Sequence, residues 1–86
     1  MKVVLLEKFI NSLSNLSENE TENFLKIYDK LTFANSISEL DSRPLVGMPY
    51  LHTIEFGKYV IGIQVKNNEV ELAGIVEKGK ELSIFI

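Results

Sequence analysis

Residues 50–77 alternate between apolar and polar side chains, and this stretch organises the predicted fold. Turn signals at Gly57-Lys58 and Asn67-Asn68 divide it into three runs of strand-like composition. A two-residue loop at Asn67-Asn68 suits a type I′ turn because asparagine tolerates a positive φ. Glycine at the first central position of the other loop suits a type II′ turn. The stretch therefore predicts a three-stranded antiparallel meander.

The two turns also predict which residues pair and which face each side chain occupies. The pairs predicted on one face are Tyr59 with Val76, Ile61 with Gly74, Ile63 with Leu72, Val65 with Val70, Ile54 with Ile61 and His52 with Ile63. The pairs predicted on the other face are Val60 with Ile75, Gly62 with Ala73, Gln64 with Glu71 and Lys66 with Glu69. The first face is almost wholly apolar. The second, called the mixed face below, has a middle row of small residues at Thr53, Gly62 and Ala73.

The chain before the meander changes from a strand pattern to helical spacing. The apolar run at residues 2–6 predicts a first strand, central in its sheet because both of its faces are apolar. Apolar residues three and four apart predict a helix over residues 7–15. A capping box at Ser17 and Glu20 predicts a second helix that continues to about residue 32.

These elements together predict one α+β domain over residues 1–86. It has an N-terminal strand, a helical hairpin and an antiparallel meander of three to four strands, with the helices on one face. Residues 82–86 predict the terminal strand. If that strand lies at a sheet edge, a partner could add a strand to it. The alternative, equally supported, is that it completes the chain's own sheet.

Composition narrows the classes of function. There is no cysteine and one histidine, which excludes thiolate chemistry and a histidine-rich metal site, and no cofactor is predicted. A net charge of −3 argues mildly against broad electrostatic binding to nucleic acid. The sequence shows neither a signal peptide nor a membrane span, so we expect a cytoplasmic protein.

Few polar residues indicate a catalytic role on their own. For His52, partial burial against Ile63 is favoured over catalysis. Lys78 and Lys80 flank a glycine and could hold a phosphate, although a solvated turn is favoured. Arg43, the only arginine, could anchor a phosphate or cap the preceding turn, and the two interpretations are equally supported. The carboxylates of the mixed face, Glu55, Glu69, Glu71 and Glu77, are interpreted as members of cross-strand charge pairs.

Three short sequence motifs carry a resemblance to a known family. They are Pro44-Leu45-Val46-Gly47 in the connector, Gly57-Lys58-Tyr59 at a strand start, and Ala73-Gly74-Ile75-Val76-Glu77-Lys78 in the last predicted strand of the meander. With the order of elements, they resemble the RelE/ParE superfamily of bacterial toxins. The resemblance covers nearly the whole chain in layout.

The resemblance implies a toxin of a toxin–antitoxin pair, with a cognate antitoxin as its partner. One branch of the family cleaves messenger RNA on the ribosome, and another inhibits DNA gyrase; fold does not decide between them. For the nuclease branch, the resemblance implies that Lys58, Lys78 and Lys80 bind phosphate, assisted by Arg43. This chain has Val60 and Glu77 where the family has basic residues.

A non-catalytic interaction module on the same fold is the alternative. The small-residue row of the mixed face, with apolar neighbours, predicts a docking surface for an antitoxin or a second copy of the chain. Its candidate residues are Leu51, Thr53, Val60, Gly62, Ala73 and Ile75. If this surface is exposed, Gly62→Arg should block a partner and leave the monomer folded.

Overall fold

A computed structural model describes residues 1–45 and 47–85, except for the side chain of Pro49. Its strands are β1 (Lys2–Leu5), β2 (Arg43–Leu45), β3 (Met48–Phe56), β4 (Tyr59–Lys66) and β5 (Glu69–Glu77). Its helices are α1 (Glu7–Leu13) and α2 (Glu18–Phe33), with short 3₁₀ helices at Ile37–Glu39 and Glu81–Phe85. The predicted α+β fold and the helical hairpin are confirmed.

The strands form one five-stranded sheet in the order β1-β5-β4-β3-β2. The meander of β3, β4 and β5 is antiparallel as predicted, whereas β1 pairs parallel with β5. The prediction that β1 is a central strand is wrong, because β1 lies at one edge. The connector contributes β2 at the opposite edge. Val46 of the predicted connector lies outside the described residues.

The predicted register is confirmed for the β3–β4 hairpin and for half of the β4–β5 hairpin. Ile63 pairs with Leu72, but Gly62 pairs with Gly74, so Ala73 is an extra residue in β5. This β-bulge shifts every later pair by one residue. Ile75 therefore lies opposite Ile61 on the helix face, rather than on the mixed face with Val60.

The shift also changes which residues lie opposite each other where β4 begins and β5 ends. Val76 lies opposite Val60, so its predicted place on the almost wholly apolar face, opposite Tyr59, is wrong. Glu77 lies opposite Tyr59, so it is not on the mixed face. A bulge adds one residue within a strand without changing the turn that precedes it, which is why turn chemistry alone did not predict it.

One of the two turns agrees with its predicted type and the other does not. Gly57 has a φ of 56°, in agreement with the positive φ at the first central position of a type II′ turn. Asn67 has a φ of 43°. Because Asn68 is not among the residues with positive φ, the loop lacks the two positive values that a type I′ turn requires.

The helices cover one face of the sheet and enclose the core. Phe9 of α1 and Phe24 of α2 are buried, with ring centroids 5.3 Å apart. The other buried residues of this core are Leu31, Ile54, Phe56, Ile61, Ile63, Val70 and Leu72. Met1 ties the start of β1 to the end of α2, because its ammonium group donates to the carbonyls of Leu31, Thr32 and Ala34 at 3.3, 3.0 and 2.7 Å. A cation at a helix C-terminus is favourable.

The capping box that starts α2 is confirmed. The Ser17 hydroxyl accepts from the Glu20 backbone N–H at 3.2 Å, and the Ser17 N–H donates to the Glu20 carboxylate at 2.8 Å. The pKa of Glu20 is lowered, chiefly by this second bond. The box therefore sets the helix start and favours the ionised carboxylate.

Removing the cap hydroxyl is expected to weaken the fold modestly. Ser17→Ala leaves a helix N–H without its side-chain acceptor, so we expect the free energy of unfolding to fall by about 1 kcal/mol. Urea unfolding followed by circular dichroism measures the change. Ser14→Ala is the matched control, since the Ser14 hydroxyl only donates to the Asn11 carbonyl at an exposed position. Equal losses in the two variants would contradict the capping role.

Candidate functional site

The mixed face is covered by the C-terminal segment, Glu81–Phe85. This segment was predicted to be a strand, but the structure shows a 3₁₀ helix, so the proposal of strand addition to residues 82–86 is wrong for the described residues 82–85. Ile86 lies outside the described residues. The chain reverses at Gly79, whose φ is 96°, and Ile84 is 4% exposed. The segment thus packs onto the sheet instead of extending it.

A notch made by two glycines receives Ile84. A Cβ atom on Gly62 would lie 2.5 Å from Ile84 Cγ2 and 2.9 Å from Phe85 Cζ. A Cβ atom on Gly74 would lie 3.2 Å from Ile84 Cγ2. Because real Cβ atoms avoid such distances, glycine at position 62 is required for this packing. The bulge at Ala73 brings the two glycines side by side.

Polar contacts hold the C-terminal segment at both ends. The Lys8 ammonium group donates to the carbonyls of Ser83 and Ile84 at 3.1 and 3.3 Å. The Gly79 N–H donates to the Glu81 carboxylate at 2.9 Å, which lowers the pKa of Glu81. The Ser83 hydroxyl donates to the Lys80 carbonyl at 2.7 Å. The segment is therefore a defined part of the fold.

The predicted docking surface on the mixed face is consequently not open in this structure. Leu51, Thr53, Val60, Gly62 and Ala73 are all buried. The expectation that Gly62→Arg leaves the monomer intact does not fit this packing, because the new side chain would collide with Ile84. The sixth candidate, Ile75, faces the helices. The sequence signal for this arrangement was the pair of glycines together with the apolar terminus.

The three candidate lysines lie at the end of the sheet formed by the β3–β4 turn and the end of β5. We call this group the lysine corner. Lys58 and Lys78 adjoin, since the Lys78 N–H donates to the Lys58 carbonyl at 3.0 Å. Lys80 follows in the next turn, where its N–H donates to the Glu77 carbonyl at 3.1 Å.

The side chains of the lysine corner do not converge on one point. The Lys78 ammonium lies 3.6 Å from the Glu55 carboxylate, an exposed ion pair on the mixed face. The Lys58 ammonium lies 5.4 Å from the ring centre of Tyr59, on the helix side. Lys80 lines a shallow pocket with Tyr59 and with Leu16, which follows α1. Each of the three lysines thus has its own set of neighbours.

Arg43 lies away from the lysine corner. It pairs with Thr53 on the β2 edge and lines a cavity of about 220 Å³. The cavity is also lined by Asp41, Glu55 and Lys30, so it has charged side chains of both signs. Glu55 thus lines the cavity of Arg43 and also forms the ion pair with Lys78. A bound phosphate would have to compete with that carboxylate.

The neighbours of His52 are residues of the fold itself. It is half-buried, pairs with Ile63 as predicted, and its Nδ1 lies 3.2 Å from the Ser42 hydroxyl.

Lys66 lies opposite Glu69 as predicted, but its ammonium group forms an ion pair at 2.9 Å with Glu71, two residues further along β5. This ion pair raises the pKa of Lys66. No group of three or more metal-ligating side chains occurs within residues 1–45 and 47–85. No helix there is long and apolar enough to cross a membrane.

Comparison with known proteins identifies the fold. No family model and no curated protein matches the sequence. Among solved structures, the RelE toxin of the RelB–RelE complex from Methanococcus jannaschii matches with a TM-score of 0.80 and 19% identity, over 96% of this chain and 99% of that chain. RelE of the Pyrococcus horikoshii complex matches with a TM-score of 0.75 and 18% identity, over 92% and 96%.

A third solved structure extends the same result to a bacterium. The toxin of the RelBE2 complex from Mycobacterium tuberculosis matches with a TM-score of 0.61 and 15% identity, over 90% of this chain and 96% of that chain. This chain therefore has the fold of the RelE toxins, as its sequence motifs predicted. Similarity at this level of identity establishes the fold and leaves the activity to be argued from the site.

Proposed function

We propose that this chain is the toxin component of a toxin–antitoxin pair and that its partner is an antitoxin protein. The observation that carries the proposal is the fold, which spans 96% of this chain and 99% of a RelE chain that was solved as an antitoxin–toxin complex. The chain has nearly the same extent as that toxin. Exposed apolar residues, including Met48, Tyr50 and Leu82, supply surface that a wrapping protein partner could cover.

Ribosome-dependent cleavage of messenger RNA is the activity that we propose for the free toxin. The supporting observation is the lysine corner, where three exposed cations occupy one end of the sheet. Cations at that position could neutralise phosphate charge as a ribose hydroxyl attacks. Arg43 would assist from the neighbouring cavity, which Glu55 also lines. The Lys78–Glu55 ion pair weakens this arrangement relative to an uncompensated basic site.

Inducible expression in a bacterial host tests the proposed activity. We expect growth to stop and messages to show new 5′ ends in primer extension. Replacing Lys58, Lys78 and Lys80 with alanine should lower cleavage about 100-fold, the usual effect of removing a group that stabilises developing charge. The control replaces Lys26 of α2, which is also exposed.

The possible outcomes separate the branches of the family. Unchanged growth and translation would exclude the nuclease while leaving antitoxin binding open. Growth arrest with intact messages and DNA damage would instead indicate gyrase inhibition. Restoration of growth by co-expression of the reading frame that flanks the gene would support the antitoxin partner. If that reading frame neither restores growth nor co-purifies with the chain, it is not the antitoxin.

A further inference from the structure

The cavity of about 220 Å³ that Arg43 lines exists because two strands part at the edge of the sheet. β2 begins at Arg43, opposite Thr53, whereas β3 continues past that pair. The chain before β2 does not follow β3, because the Ser42 N–H donates to the Leu40 carbonyl at 2.9 Å in a tight turn. Within the described residues, positions 54–56 of β3 therefore have no strand beside them on this side.

The backbone of Glu55 faces this side of the sheet. Phe56 and Tyr59 pair across a two-residue turn, and residues so placed exchange backbone hydrogen bonds. Alternate residues of a strand direct their backbone groups to opposite sides, so Glu55 directs its N–H and C=O away from β4, as Thr53 does. Glu55 thus presents a backbone donor and a backbone acceptor at the edge where the cavity lies.

Charged side chains of both signs line the cavity, and most of them are unpaired. Arg43 and Lys30 supply two cations, and Asp41 and Glu55 supply two carboxylates. Of these four residues, Glu55 alone belongs to an ion pair in the part of the chain that the structure describes, and its partner at 3.6 Å is Lys78. Both cations and one carboxylate are therefore available to a bound molecule.

The rest of the wall is largely apolar. Ile27 of α2, Leu40 and Ile54 line it. Ile54 is a buried core residue and the other two pack against the core, so this wall is a fixed part of the fold. The volume is smaller than the about 300–1,000 Å³ of typical sites for drug-sized ligands. The cavity therefore suits a small molecule with one apolar group.

We propose that this cavity binds a free α-amino acid with an aliphatic side chain. Its carboxylate would accept from the Arg43 guanidinium group, whose planar set of N–H donors matches a carboxylate. Its ammonium group would donate to the Asp41 carboxylate, and its side chain would contact Ile27 and Leu40. A simple anion would meet the two carboxylates of the cavity without compensation, and a simple cation would meet the two cations. A zwitterion satisfies both signs.

Titration of the ¹⁵N-labelled chain with L-leucine, followed by NMR, tests the site in the absence of RNA and antitoxin. We expect the amides of Ile54 and Glu55 to shift, with a dissociation constant on the order of 1 mM, because a ligand with few atoms gains little binding energy. Arg43→Ala should weaken binding about ten-fold or more, since a hydrogen bond between charged groups is lost. Lys26→Ala, an exposed position of α2, is the control and should leave binding unchanged. Spectra of the free variants check that each remains folded.

Two leucine derivatives connect each charge of the ligand with its proposed partner. Leucine amide lacks the carboxylate and N-acetylleucine lacks the ammonium group, so each should bind the wild-type chain about ten-fold more weakly than leucine. Arg43→Ala should no longer distinguish leucine from its amide, and Asp41→Asn should no longer distinguish leucine from N-acetylleucine. A general disturbance of the fold would not produce this coupling between one side chain and one ligand group.

Amino-acid binding is independent of the proposed toxin activity, although Arg43 has a part in both. Equal binding of leucine and its two derivatives would overturn the proposal, as would the absence of leucine binding or shifts confined to the lysine corner. Inorganic phosphate that binds as tightly as leucine would assign the cavity to anions instead. None of these results would alter the proposed toxin activity, because message cleavage is measured separately.

Discussion

Replacing Ile63 with alanine is expected to lower the free energy of unfolding by about 2–5 kcal/mol. Ile63 is 0% exposed in the central strand β4, where it pairs with His52 on one side and Leu72 on the other. Deleting its methyl and methylene groups leaves a cavity that the surrounding sheet can close only in part. Urea unfolding monitored by circular dichroism measures the loss.

The loss should be a large share of the total stability. A chain of this size has a free energy of unfolding on the order of 4–13 kcal/mol. The matched control is Leu25→Ala on α2, where the side chain is 51% exposed. That change should stay within about 0.5 kcal/mol, because surface substitutions away from packed groups have small effects. A similar loss in both variants would contradict the assignment of Ile63 to the core.

Gly62→Ala is expected to displace the C-terminal segment from the mixed face. The new Cβ would lie 2.5 and 2.8 Å from two carbons of Ile84 and 2.9 Å from Phe85, so both side chains must move. Overpacking of this kind costs about 1–3 kcal/mol. Because the segment is joined at one end and held by Lys8 at the other, we expect it to detach rather than the sheet to unfold.

Three measurements check this prediction. Proteolysis should cut residues 81–85 faster in Gly62→Ala than in the wild type. Gly74→Ala should have a smaller effect, because its Cβ would meet Ile84 at 3.2 Å. Adding Ile84→Ala should remove much of the cost of Gly62→Ala, a coupling that a double-mutant cycle measures. Additive effects would show that the two residues do not share the notch.

Displacement of the segment also bears on the proposed function. It would uncover Gly62, which the sequence placed on an open docking surface and which lies against Ile84 and Phe85 in the structure. Comparing antitoxin binding by Gly62→Ala and the wild type would show whether the partner contacts this part of the mixed face. Unchanged binding would direct attention to exposed residues outside the segment, such as Met48 and Tyr50.

The sequence predicted the elements whose causes are local. The capping box at Ser17 and Glu20 begins α2, and helical spacing of apolar residues places Phe24 and Leu31 in the core. The pairing of Ile63 with Leu72 followed from the short loop at residues 67–68 and the alternation of side chains. In each case the interaction joins residues close along the chain, so the pattern was sufficient to identify it.

The candidate site depended on contacts between residues far apart in sequence. The bulge at Ala73 sets Gly62 opposite Gly74 beneath Ile84, and the apolar pattern of residues 82–85 did not distinguish a strand from a segment that packs on the sheet. Likewise, the pairing of Lys78 with Glu55 depends on three-dimensional position rather than spacing. The sequence therefore determined the RelE-like layout. Tertiary packing decided that the C-terminal segment covers the mixed face and that the side chains of the lysine corner have different neighbours. Packing decides these features because burial of Ile84 is favourable only where two distant glycines leave room for it.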